Sequence, residues 1–273
     1  MTKKEAIKSQ ALANELRAQT LLMIHSGKSA HIGSNLSAAD LVTVLYDKIL
    51  RVNPKRPNWP DRDRFIMSKG HAAAIVWAAL AHKRFFPKSW FKTYYKDDSR
   101  LAGHVTKLNI PGVELSTGSL GHGLPFACGV ALAAKRDKKK YRTFVILSDG
   151  EMDEGSNWEA ILFAPQHKLD NLIAIVDYNK IQSLAPVKDT INLEPLKKKL
   201  EAFGWVVKEV DGHNHKQILE TLKRAPFKEN KPSFVIAHTI KGKMVGFMEN
   251  TVKWHYANTD EEMLARALKE LGK

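Results

Sequence analysis

The chain has 273 residues, of which 44% are apolar and 26% charged, enough to bury a core and too apolar for a disordered polymer. A single cysteine, Cys128, excludes a disulfide scaffold and a thiolate zinc cluster, and it suits a reducing compartment. Lysine and arginine number 43 against 29 aspartates and glutamates, and the net charge of +14 calls for an anionic partner: nucleic acid, a phosphorylated metabolite or an acidic protein.

Residues 4–25 are predicted to form a helix with Leu12, Leu16 and Met23 on one face. The opening stretch MTKKEAIKSQ lacks a signal-peptide apolar run, and Glu5 and Glu15 argue against an acidic-poor transit peptide. No run approaches the roughly 18 apolar residues of a membrane span, so a soluble, cytoplasmic chain without a membrane role is expected. After a polar break from His25 to Asn35, Ser37-Ala38-Ala39-Asp40 reads as the start signal of a helix to about Leu50. Pro54, Pro57 and Pro60 enforce a non-helical loop. A short buried segment, Phe65-Ile66-Met67, meets Gly70-His71, and an alanine-rich helix follows. Beyond Pro111-Gly112, a Ser/Thr/Gly stretch from Ser116 to Gly123 precedes a helix from Leu124 to about Lys135.

The continuous apolar runs Thr143–Leu147 and Leu172–Val176 read as strands covered on both faces of a parallel sheet. Between them, Glu154 to about Gln166 reads as a crossover helix with Trp158, Ile161 and Leu162 facing inward. Trp205–Val207 and Phe234–Ala237 repeat the strand pattern around a helix near Gln217–Lys223, and a last helix spans about Asp260 to Leu271. Lys241–Gly246, rich in glycine and lysine, reads as a mobile loop within one domain. The expected fold is α/β: a three-layer sandwich with a mostly parallel sheet flanked by helices. The runs Lys138–Lys140 and Lys197–Lys199 are scattered and not interleaved with aromatics, so they read as solvated helix ends and loops, and no nucleic acid partner is expected.

In open α/β sheets ligands gather beyond the carboxyl ends of strands. One strand here ends in Ser148-Asp149-Gly150, the next in Asp177-Tyr178-Asn179. Joined by one crossover, they are plausible neighbours, so Asp149 and Asn179 could converge. A carboxylate and an amide carbonyl are hard oxygen donors suited to Mg²⁺ or Ca²⁺, and Mg²⁺ usually shares its shell with phosphate oxygens. A diphosphate is the natural third party, and Gly150 would let it approach the backbone. The alternative for an Asp-Gly at a strand end is an ordinary turn with an Asx-type bond.

Ser148-Asp149-Gly150 followed thirty positions on by Asn179 resembles the thiamine-diphosphate signature, with Ser148 where that pattern has glycine. His31-Ile32-Gly33, Asp61–Phe65, Ser68–His71, Gly103-His104, Thr117–Gly123 and Asp149–Gly155 occur in the order found in transketolases, and the likeness runs from about residue 12 to His255. The resemblance is to the N-terminal, diphosphate-binding (PP) domain of that family, taking up residues 1–273 as a single domain. It implies that Asp149, Asn179 and the carbonyl of Ile181 hold the metal, Mg²⁺ with Ca²⁺ or Mn²⁺ as substitutes. It places His71, Gly118, Ser119, Leu120 and Gly150 along thiamine diphosphate, and Glu154 in a subunit-contact network beside it. His31, His104 and His255 match positions facing the sugar hydroxyls and the reactive carbon, with pKa values suited to proton shuttling at neutral pH. His122 is read as near the cofactor without a role; His82, His167, His213, His215 and His238 are read as surface or satisfied core residues. Cys128 is read as a small buried apolar residue.

The family's pyrimidine-binding and C-terminal domains are absent from this sequence. The resemblance therefore implies the N-terminal subunit of a split transketolase of the pentose phosphate pathway type, paired with a C-terminal subunit that carries the pyrimidine domain. A heterotetramer transferring a two-carbon ketol unit from a ketose phosphate to an aldose phosphate is expected. The rivals are the α subunit of a 2-oxo-acid dehydrogenase, a split deoxyxylulose phosphate synthase, a transketolase for a rare sugar phosphate, and, from another class, a basic nucleic-acid-binding protein. The histidine and glycine motifs favour ketol transfer.

Overall fold

The apolar runs become a five-stranded parallel sheet in the computed structural model, which describes residues 1–273, the side chain of Lys3 excepted. The strands are β1 (Arg64–Met67), β2 (Thr143–Ser148), β3 (Leu172–Tyr178), β4 (Val206–Asp211) and β5 (Ser233–His238), in the order β1-β2-β3-β5-β4. Around them lie α1 (Lys3–Gly27), α2 (Ile32–Val44), α3 (Ala73–His82), α4 (Gly123–Arg136), α5 (Gly155–Gln166), the single turn α6 (Val187–Thr190), α7 (Leu196–Ala202), α8 (His215–Lys223) and α9 (Glu261–Glu270). No helix is long and apolar enough to cross a membrane.

Successive strand residues point to opposite faces, and two cores result. Phe144, Ile146, Ile173, Ile175 and Val235 pack on the side of α1, α2, α3, α8 and α9. Val145, Leu147, Ala174, Val176 and Ile236 pack on the side of α4, α5 and α7. This is the expected three-layer sandwich, and it explains why the strands lack an apolar–polar alternation. Leaving β3, the chain runs through α7 on the second side; leaving β5, it reaches α9 on the first, so a crevice opens at the carboxyl ends between them.

Three expectations are corrected. The second helix starts at Ile32, not at Ser37: the Asn35 side chain donates to the His31 carbonyl (2.8 Å), and Ser37 is buried mid-helix, donating to Asp177 (2.6 Å). Every residue of α2 is buried, so polar side chains there are structural partners and not caps. Leu162 does not face inward; it is 63% exposed, whereas Ile161 is buried and Trp158 half-buried. The Lys241–Gly246 loop is folded against the core, with Lys241 and Val245 buried and Asn250 donating to the Lys241 carbonyl (2.9 Å).

Candidate functional site

Register sets the geometry of the crevice. β2 and β3 pair directly with Ser148 opposite Asp177, so Asp149 and Asn179 leave adjacent strand ends. Both line a cavity of about 190 Å³, with Gly150, Ile181, His71, Leu120, Lys241, His255 and Tyr256 among its other walls. Asp149 is 2% exposed, and its carboxylate accepts only main-chain N–H groups, from Gly150 (2.8 Å) and Lys180 (2.6 Å). Burial, then the neighbouring Asp177 charge, pushes its carboxyl up to about 7. A buried carboxylate without a cationic partner is costly. Asn179 turns its carbonyl oxygen back to the Ile181 N–H (3.1 Å).

The cavity is thus lined by residues that offer three oxygen types: carboxylate, amide and main-chain carbonyl. They fit a hard divalent cation that completes its shell with phosphate oxygens. No cluster of three or more His, Cys, Asp or Glu side chains suited to a metal occurs among the described residues. A methyl group on Gly150 would meet the Gln182 side chain at 3.2 Å, so its bare backbone keeps that wall of the cavity open.

Four imidazoles crowd the next part of the cleft. His31 has ring centroids 5.1 Å from His71, 5.6 Å from His104 and 4.9 Å from His255. The His31 N–H donates to the His255 carbonyl (2.8 Å), tying the start of α2 to the turn before α9. His31 takes the left-handed conformation (φ 72°), uncommon outside glycine. Neutral-pH titration of these histidines is corrected by their surroundings. Burial, then His104, Lys241 and Lys69, lowers His31 to about 4. Burial and Lys241 lower His255 to about 3. His71 and His104 also fall, chiefly through burial. Near pH 7 all four are neutral, each offering one donor and one acceptor nitrogen.

Gly118 lies against the His104 ring, where an added methyl would stand 3.2 Å away, and Ser119 is exposed beside it. Glu154 is exposed next to Gly121, on the rim and not in the cavity. His122 is exposed and bonds the Leu120 carbonyl (3.0 Å).

Sequence reasoning missed Lys241. Its ammonium is buried against the carbonyls of Ile181 (3.2 Å) and Gln182 (3.0 Å) and the His255 Nδ1 (3.1 Å), with burial lowering it to about 8. It also missed Glu151, which accepts from Ser68 and from the Gly121 N–H (3.0 Å), stitching the glycine segment to the sheet. Lys69 pairs with Asp177 (2.5 Å), both fully buried. The lysine-glycine spacing at 241–242 was the one signal available for the first.

The family described as transketolase, thiamine diphosphate binding domain, matches residues 8–273. One subunit of the apulose-4-phosphate transketolase of Actinobacillus succinogenes is 43% identical over 255 residues, 93% of this chain and 92% of that protein. The 6-deoxy-6-sulfo-D-fructose transketolase subunit SqwG of a Clostridium species is 39% identical over 269 residues, 98% of both. The crystal structure of transketolase from Campylobacter jejuni superposes with a TM-score of 0.92 at 33% identity, covering 100% of this chain and 43% of that one. The chain thus spans nearly all of the two subunits and about two-fifths of the solved transketolase.

Proposed function

The chain belongs to the transketolase family, as its thiamine-diphosphate-binding domain, and from that premise we propose that it is the N-terminal subunit of a two-chain transketolase. With a C-terminal subunit carrying the pyrimidine domain, in a heterotetramer of two of each, it transfers a two-carbon ketol unit between sugar phosphates in the cytoplasm. The observation that carries this reading is the Asp149 carboxylate, buried without a counter-ion beside Asn179 and the Ile181 carbonyl.

Asp149, Asn179 and Ile181 would hold Mg²⁺, and Gly150, His71 and the Gly118–Leu120 segment would receive the diphosphate. When bound, thiamine diphosphate supplies the electron sink that lets a carbon–carbon bond of a ketose phosphate break. Lys241 would add positive charge for the diphosphate, and its own bonds to the Ile181 and Gln182 carbonyls steady the loop after β3. Neutral His31 and His104 would orient sugar hydroxyls, each by one N–H and one lone pair, and His255, whose Nδ1 accepts from the Lys241 ammonium, by its Nε2–H alone. Glu154, exposed beside Gly121, would face the partner subunit.

Two relatives are named for apulose-4-phosphate and for 6-deoxy-6-sulfo-D-fructose, a sulfonate; the first favours a less common sugar phosphate as a second reading of the substrate. The test is co-purification with the pyrimidine-domain chain and a ketol-transfer assay over a panel of ketose and aldose phosphates with Mg²⁺ and thiamine diphosphate. Transfer dependent on both additives and both chains is expected. Inactivity on the whole panel, with salt-sensitive nucleic acid binding instead, overturns the reading.

A further inference from the structure

We propose that Tyr256 determines which sugar phosphates the site accepts, an inference that rests on the ketol-transfer reading. Tyr256 lines the same cavity as Asp149, Lys241 and His255, yet its side chain is 60% exposed. Its ring centroid lies 4.7 Å from that of His255, nearly edge-on, and 5.9 Å from that of His31. It is therefore the wall between the imidazoles and solvent.

The backbone that carries the ring is fixed. Trp254 is 3% exposed and its indole N–H donates to the Phe247 carbonyl (3.1 Å), while the His255 carbonyl accepts from His31 (2.8 Å). The side chain has only two torsions to order on binding, so an aromatic wall there gains contact area at low entropic cost. The other walls carry carboxylate, amide, hydroxyl, ammonium and imidazole groups together with the aliphatic Leu120 and Ile181; Tyr256 is the one phenol ring among them. A sugar phosphate presents hydroxyls on some sides and a C–H face on another. The histidines match the first, and the Tyr256 ring matches the second. Once ordered against the substrate, the ring also bounds the space for carbons beyond the transferred unit, so it discriminates straight from branched chains at that point.

The experiment uses the holoenzyme reconstituted from both chains with Mg²⁺ and thiamine diphosphate, comparing wild type, Tyr256→Ala and Tyr256→Phe on straight-chain and branched ketose phosphates. For Tyr256→Ala we expect KM for the preferred donor to rise about tenfold, with kcat within about threefold and thiamine diphosphate affinity within about twofold. The kcat/KM ratio of branched to straight donors should shift at least about tenfold, and Tyr256→Phe should restore the wild-type ratio. An unchanged ratio, or a loss of cofactor affinity as large as the rise in KM, overturns the assignment. A wild-type complex inactive on every donor overturns the ketol-transfer reading itself, whereas an active wild type with an indistinguishable Tyr256→Ala overturns only the role of the ring.

Discussion

Asp40 and Asp149 are hidden from water to the same degree, 0% and 2% exposed, and their carboxyls move in opposite directions. Burial pushes both up. At Asp40 the Arg17 guanidinium (2.6 Å) and bonds from His213 (2.7 Å) and His215 (2.8 Å) more than reverse it, holding the group well below the usual carboxylate range. At Asp149 burial is reinforced by Asp177, and two main-chain N–H groups with the more distant Lys69 ammonium leave the carboxyl at about 7. The first carboxylate has its cation built into the fold. The second has no ion-pair partner in contact with it, which is what the divalent-ion site proposed for it requires. Burial of charge alone thus distinguishes nothing; the partner list separates scaffold from site.

The largest effect that would break this contrast falls on the scaffold side. Arg17→Met removes the cation from Asp40 and should cost about 3–5 kcal/mol of unfolding free energy, read from urea denaturation. Asp149→Asn should cost less, no more than about 1–3 kcal/mol, because a buried charge disappears while the new NH2 leaves one of the Gly150 and Lys180 N–H donors unpaired. In the reconstituted complex the same change should weaken Mg²⁺-dependent thiamine diphosphate binding by at least about a hundredfold in titration calorimetry. If Asp149→Asn unfolds the chain while Arg17→Met is benign, the two aspartates have been assigned the wrong way round.

Much of the site side was legible in the amino-acid order, and most of the scaffold side was not. Asp149 and Asn179 close two uninterrupted apolar runs separated by one crossover helix, so adjacency of β2 and β3 follows from connection rules, and their direct pairing agrees with it. Asp40 was misassigned to a helix start, because Ser-x-x-Asp is the same pattern whether the serine caps a helix or, as with Ser37, sits inside one and bonds a distant strand. The true start, His31 in a left-handed conformation, leaves no compositional trace. His213 and His215, read as ordinary residues, are the neighbours that saturate Asp40. Lys241 escaped because lysines are rarely buried, and only the carbonyls of a loop sixty residues earlier explain why this one is. Local patterns reveal strands and strand ends; polar partnerships across long sequence separations need the fold.

A smaller effect sharpens the contrast through pH. His31 and His255 have folded pKa values near 4 and 3, while unfolded imidazoles titrate near 6.5. Between those values the unfolded chain binds more protons, so stability is full above pH 6.5 and falls as the pH drops toward 4. Asp149 opposes this, since its raised pKa makes the folded chain the better proton acceptor below about 7. The measurement therefore belongs in the Asp149→Asn chain without cofactor, where a loss of about 2 kcal/mol between pH 6.5 and 4.5 is expected and His31→Gln should shallow it. The contribution of Asp40 lies lower. Its depressed pKa gives stability that is present above the ordinary carboxylate value of 3.8 and lost only as the pH falls beyond it. A flat profile above pH 4.5 would mean that the imidazoles are better solvated than their packing implies.

The smallest effect concerns two glycines that look alike in sequence. At Gly70 a methyl group would lie 2.4 Å from the main chain of Thr117, and backbone does not yield, so Gly70→Ala should damage the fold. At Gly150 the methyl would meet only the Gln182 side chain, at 3.2 Å from Cγ, and that side chain can shift even though its amide donates to Asp153 (2.8 Å). Gly150→Ala should therefore change unfolding free energy by less than about 1 kcal/mol. Its methyl group would nonetheless stand on the cavity wall where a diphosphate needs close backbone approach, and about a tenfold loss of thiamine diphosphate affinity is expected. Unaltered affinity in a folded Gly150→Ala complex would move the diphosphate away from the end of β2, and with it the reason for leaving Asp149 without a counter-ion.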